Sequence, residues 1–149
     1  MQAILWSTLL AGILDISAAM TARAMMNGIS PTRVLQSISS GILGSDAFSG
    51  GRSVAALGLL LHFLIMAAIA TTFYLASRRM PALTVHWLGY GLAFGLLVYL
   101  TMSFAVVPLS AYPGTLVPSG AAFIQGAIVH MVCVGLPIAF VTSRWPPAG

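Results

Sequence analysis

The amino-acid sequence predicts an all-α membrane protein of four transmembrane helices in one compact bundle, with a short interfacial amphipathic helix between spans one and two. Three observations predict it. The 149 residues are 59% hydrophobic and 5% charged, whereas soluble domains carry about a quarter charged residues, so the chain has too little polar surface to cover a globule in water. Its apolar residues fall into four runs of roughly 20, the length that crosses a hydrocarbon core about 30 Å thick. Between the runs lie prolines, glycines and short arginine-bearing turns, the punctuation that ends helices. Residues 1–149 are therefore expected to form a single membrane domain.

The first span is expected over about residues 4–26. Thr8, Ala11, Gly12, Asp15, Ala18, Ala19 and Ala22 recur at helical spacing and form one small, polar stripe suited to close packing in lipid. Ser17-Ala18-Ala19 imitates the small-residue cleavage site of a secretory signal, but no basic stretch precedes the apolar run, so a retained helix is expected. Ser30 followed by Pro31 is a helix start, an N-cap with proline in the first turn. It opens the interfacial helix, about residues 31–43, whose Val34, Leu35, Ile38 and Ile42 share a face while Arg33, Gln36, Ser37 and Ser40 fall mostly elsewhere.

The second span is expected over about residues 52–77, ending at Arg78-Arg79 with Pro81 behind them. The third, about residues 83–107, stops at Pro108. The fourth, about residues 121–142, follows the uncharged connector PLSAYPGTLVPSG and contains Pro137 in its last third, where a kink is expected. Gly91 and Gly95 make a G-x-x-x-G pair that permits close backbone approach. With Gly58 and Gly126, they are the candidate helix-packing glycines.

Six Lys or Arg against two Asp or Glu give a net charge of +4. The excess comes from scarcity of acid rather than from a dense basic cluster, so nucleic acid is not an expected partner. Anionic lipid headgroups are the simpler partner, and Arg23, Arg33, Arg52, Arg78 and Arg79 are the candidates to meet them. Trp6, Trp87 and Trp145 look like interfacial anchors. The basic turn at Arg78-Arg79 and the charge of the amino terminus favour both termini in the cytoplasm. Cys133 is the only cysteine and lies within an apolar run, which leaves the redox compartment open.

Asp15, His62 and His130 fall near the middle of spans one, two and four. A carboxylate at bilayer depth is costly unless protonated, paired or wet, so Asp15 asks for partners, and the two histidines are the ones on offer. Together they are the candidate midplane polar site, read either as an Asp–His hydrogen bond that fixes helix register or as a relay for protons or a small polar solute. Gly58 and Gly126 each precede a midplane histidine by four residues, room that would suit a flat ring. Haem b between His62 and His130 is thus the one cofactor the pattern accommodates, and none is otherwise expected. A two-histidine, one-carboxylate metal site finds no supporting local spacing. His86, beside Trp87, is expected to be solvated. There is no nucleophile motif, phosphate-binding glycine loop or cysteine metal pattern, so no catalytic residue is expected.

The run LLHFLIMAAIATTFYLASRRMPALTVHWLGYGLAFGLLVYLTMSFAVVPL, followed by a histidine-bearing last span, resembles the YagU-like group of small bacterial inner-membrane proteins. The likeness covers roughly His62 to Arg144 and lies in order and spacing: a histidine early in one span, a proline-marked basic turn, a glycine-rich span ending in proline, then a histidine-containing helix. It implies a multi-pass protein of the bacterial inner membrane, with His62 and His130 as the positions carried over. That group has no assigned activity. The expectation for function is accordingly a non-enzymatic accessory or assembly component acting through helix contacts, in the bilayer and within a larger membrane complex or homo-oligomer. The competing expectation is a proton- or solute-conducting bundle, or a haem carrier, working through Asp15, His62 and His130.

Overall fold

The computed structural model describes residues 1–114 and 120–145, and every regular element among them is helical. In chain order these are α1 (Gln2–Asn27), α2 (Pro31–Leu43), α3 (Gly51–Arg79), α4 (Trp87–Leu109) and α5 (Gly120–Arg144). Among the described residues, α1, α3, α4 and α5 are long and apolar enough to cross a membrane. Part of the connector before α5 and the tail after Trp145 lie outside the described residues.

Local chemistry accounts for the ends. α1 stops where Gly28 adopts a left-handed φ of 63°, which a side chain would resist, and turns its N–H onto the carbonyl of Ala24. Two residues later the Ser30 hydroxyl accepts a hydrogen bond from the N–H of Arg33, and Pro31 sits in the first turn of α2. A 3₁₀ turn, Gly44–Phe48, then leads into α3.

The third span begins later than expected. Ala82–Val85 forms a separate turn, and α4 begins only at Trp87. Thr84, Val85 and His86 are weak helix formers, and the joint they make sets the Trp87 ring edge-on to Phe140, centroids 5.2 Å apart. The helix ends at Leu109, one residue past Pro108, after a π-helical turn at Met102–Val106. α5 repeats the device, with a π-helical turn at His130–Gly135 just before Pro137. A proline ring collides with the carbonyl four residues earlier, here Phe104 and Cys133, and both residues lie in the widened turn that gives the ring room.

All four long helices contribute to one buried cluster: Ala11 from α1, Met66, Ala70 and Phe73 from α3, Val98 from α4, and Val134, Ile138 and Ala139 from α5. Large apolar side chains such as Leu5, Ile13, Leu60, Leu64, Leu97 and Ile124 point outward, as they do when the solvent is hydrocarbon.

α4 and α5 approach closely through their glycines. A Cβ on Gly135 would strike the Gly91 carbonyl and the Gly95 backbone, and a Cβ on Gly95 would strike the His130 carbonyl. α2 packs on the first half of α3, where Gly58 faces the carbonyl of Leu35.

The face of α2 that packs on the protein is largely polar. Val34 is buried, but so are Gln36, Ser39 and Ser40, whereas Ile42 and Leu43 are exposed. The reason is hydrogen bonding: Gln36 Nε2 donates to the Gly51 carbonyl at 3.1 Å and Ser39 Oγ to the Val54 carbonyl at 2.7 Å. Polar groups turn toward protein partners, and the apolar edge is left for the surroundings.

Candidate functional site

Asp15 lies in the middle turns of α1, His62 eleven residues into α3, and His130 at the first position of the π-helical turn in α5. The three side chains line one cavity of ≈ 230 Å³, and Arg23 lines it too, two turns along α1. α2 covers it with Val34, Ser37 and Ile38, while Met66 and Val98 supply apolar wall. The cavity therefore holds a carboxylate, two imidazoles and a guanidinium in walls that, Ser37 aside, are apolar.

The expected Asp–His hydrogen bond does not form. His62, 6% exposed, instead places Nε2 2.9 Å from the carbonyl of Gly12, a helix-to-helix bond between α3 and α1. A carbonyl only accepts, so Nε2 carries the proton and, in the neutral ring, Nδ1 is left as an acceptor. The close approach that permits this bond comes from Gly12, where a Cβ would meet the Phe63 ring at 2.5 Å.

His130 places Nδ1 3.0 Å from the carbonyl of Gly126 on its own helix. By the same reasoning Nδ1 carries its proton, and Nε2 is the acceptor. Among the described residues the Asp15 carboxylate makes neither a hydrogen bond nor an ion pair, so Arg23 shares its cavity without closing onto it. The site thus offers two imidazole acceptors, one carboxylate and one cation, none of them paired with another.

Both glycines that precede the midplane histidines stand against protein. Leu35 and Ser39 of α2 occupy the space beside Gly58, and the Tyr99 ring occupies the space beside Gly126, at 2.6 Å from where a Cβ would be. Among the described residues no three His, Cys, Asp or Glu side chains are grouped to hold a metal ion. Of the candidate lipid-facing arginines, Arg33 donates to the Phe48 carbonyl at 3.3 Å and lies over its ring, while Arg52, Arg78 and Arg79 are exposed near the ends of α3. His86 is exposed at the joint before α4.

Two contributors escape a reading of spacing alone. Tyr99 stacks beside His130 with ring centroids 5.2 Å apart, and its buried hydroxyl has no hydrogen-bond partner among the described residues. Its place one turn after Gly95, on the face that meets α5, was the available signal. Ser37 enters the cavity wall from α2, and its polar position gave no hint that α2 would fold over α1 and α3. Comparison of the chain with family models, with curated proteins and with solved structures finds no match.

Proposed function

We propose that the chain is a multi-pass membrane protein whose working part is the midplane cavity, and that it passes protons or a small polar solute by way of Asp15, His62 and His130. One observation carries this reading: charged and titratable side chains from three spanning helices meet in a single cavity and leave one another unpaired. Ionisable groups at membrane depth are expensive, and an unpaired set facing a cavity marks a path for ions or solute. A purely structural role would be better served by an Asp–His bond. The small-residue faces that would suit an accessory subunit are largely spent inside the chain, Gly91 and Gly95 on α5 and Gly58 on α2.

In this reading α2 lies at the membrane interface over the cavity, the long helices form a compact bundle, and the termini face the cytoplasm of a bacterial inner membrane. The resemblance between His62 and Arg144 supports that location, and the Arg78-Arg79 turn supports that orientation.

The test is reconstitution of the purified chain into liposomes containing a pH-sensitive dye, with valinomycin and a potassium gradient to set the potential. Acidification above that of empty liposomes, abolished by Asp15→Asn, is the expected outcome for protons, and osmotic swelling assays extend the test to small solutes. An inert chain that co-migrates with larger partners after gentle extraction would return it to the accessory class. A Soret band in the purified protein would instead favour haem on His62 and His130.

A further inference from the structure

Outside the midplane cavity the same corner of the molecule holds two further hollows, and they share walls. One, of ≈ 200 Å³, is lined by Arg23, Arg33, Ser37, Phe48 and Tyr112 among others. The other, of ≈ 490 Å³, adjoins it through Arg23, Ser37 and Tyr112, then extends along Leu61, Ile65, Met102, Val106 and Val107. We infer that this cleft is a binding site for one anionic phospholipid of the surrounding bilayer, its phosphate between Arg23 and Arg33 and one acyl chain along the groove between α3 and α4.

The charge of the headgroup end is one-sided. The sequence has two acidic residues, Asp15 and Asp46, and neither lines either hollow. Arg33 is already held in place by its bond to the Phe48 carbonyl and by the Phe48 ring, 4.2 Å from its guanidinium carbon. That single bond leaves other guanidinium donors free for a phosphate.

Arg23 is exposed one turn before the end of α1, at the mouth of both hollows. Ser37 and Tyr112 add hydroxyls beside the two cations. Below them the groove walls turn mainly apolar, with Ser103 and Ser110 the exceptions, the order of groups in a phospholipid. Basic pockets between membrane helices recognise acidic headgroups in this way, whereas Arg52, Arg78 and Arg79 line neither hollow. The cleft shares Arg23, Val34, Ser37, Ile38, Ile65 and Met102 with the wall of the midplane cavity, but Asp15, His62 and His130 line neither hollow, and lipid binding is read without any transport assay.

The test is native mass spectrometry of the full chain, extracted from bilayers made of equal parts phosphatidylglycerol and phosphatidylcholine with the same acyl chains. One phosphatidylglycerol per chain is expected, retained roughly tenfold over phosphatidylcholine. The preference should fall to near parity in the Arg23→Gln, Arg33→Gln double variant and persist in Arg78→Gln, Arg79→Gln, which loses the same charge away from the cleft. Val106→Trp, which fills the groove and leaves the charge alone, should also shed the lipid, and it decides the matter where the double variant fails to fold. Equal retention of both lipids, loss of preference in both double variants alike, retention in the groove-filled variant, or a second copy of the chain in place of lipid would overturn the inference.

Discussion

The two sides of this molecule's middle are built to opposite rules. Where α4 meets α5, the backbones of Gly91, Gly95 and Gly135 lie against one another, with no room for a methyl group on Gly95 or Gly135. Where α1 and α3 face α2, at the same depth, the helices stand around a cavity of ≈ 230 Å³ that holds Asp15, His62 and Arg23. His130 belongs to both, with its carbonyl against Gly95 and its side chain lining the cavity. The comparison teaches a division of labour: the glycine seam supplies rigidity through packing, the main source of helix affinity when the solvent is lipid, and so lets the opposite side stay open and polar.

That comparison breaks most sharply at the seam. Gly135→Ala and Gly95→Ala each force a methyl group into the backbone of the facing helix, and each should destabilise by about 3 kcal/mol, the upper part of the range for overpacking. Gly91→Ala should cost less, because its nearest neighbours would lie at 3.0 Å or beyond, and Gly89→Ala should cost nothing, since no atom lies within 4 Å of its added methyl. Thermal unfolding followed by circular dichroism in a mild detergent ranks the four. A Gly95→Ala protein as stable as Gly89→Ala would mean that the seam does not hold the molecule together.

The cavity side should respond more weakly, because its contacts are single hydrogen bonds. His62→Phe keeps most of the ring volume and removes the bond to the Gly12 carbonyl, and should cost about 1 kcal/mol, within the range measured for hydrogen bonds between membrane helices. The same unfolding experiment reads it. A loss as large as that of Gly135→Ala would place structural weight on the cavity side and blur the contrast.

How much of this was legible in the sequence follows the same divide. The four spans and the start of α2 were readable because length, hydropathy and the Ser30-Pro31 cap are local properties. Gly91 and Gly95 announced a close approach through their spacing, but their partner did not announce itself, because Gly135 lies forty residues on and belongs to no pattern with them. Pro108 and Pro137 were readable as helix punctuation, but the π-helical turns that give both rings room were not. The apolar face of α2 was readable from its spacing, but the packing of its Gln36 and Ser39 on α3 was not, because their acceptors, the carbonyls of Gly51 and Val54, belong to a different helix. The common depth of Asp15, His62 and His130 could be counted along the helices, but the absence of a bond between them depends on ring orientation, which spacing does not encode. The carbonyls of Gly12 and Gly126 captured the two imidazoles instead.

A small effect on stability is expected where the effect on function is expected to be largest. Asp15 is half-buried and, among the described residues, has no partner in the protein, so Asp15→Asn removes no bond and leaves the side-chain volume almost unchanged. Its unfolding free energy should match that of the unmodified chain to within about 0.5 kcal/mol, the scatter of substitutions that disturb no packing or buried bond. Paired with the loss of acidification in liposomes, that result would separate a residue kept for chemistry from residues kept for packing. A marked loss of stability in Asp15→Asn would instead mean that the carboxylate holds the helices in register through a water or an ion in the cavity. The contrast between a rigid seam and a working cavity would then give way to one between two kinds of structural contact.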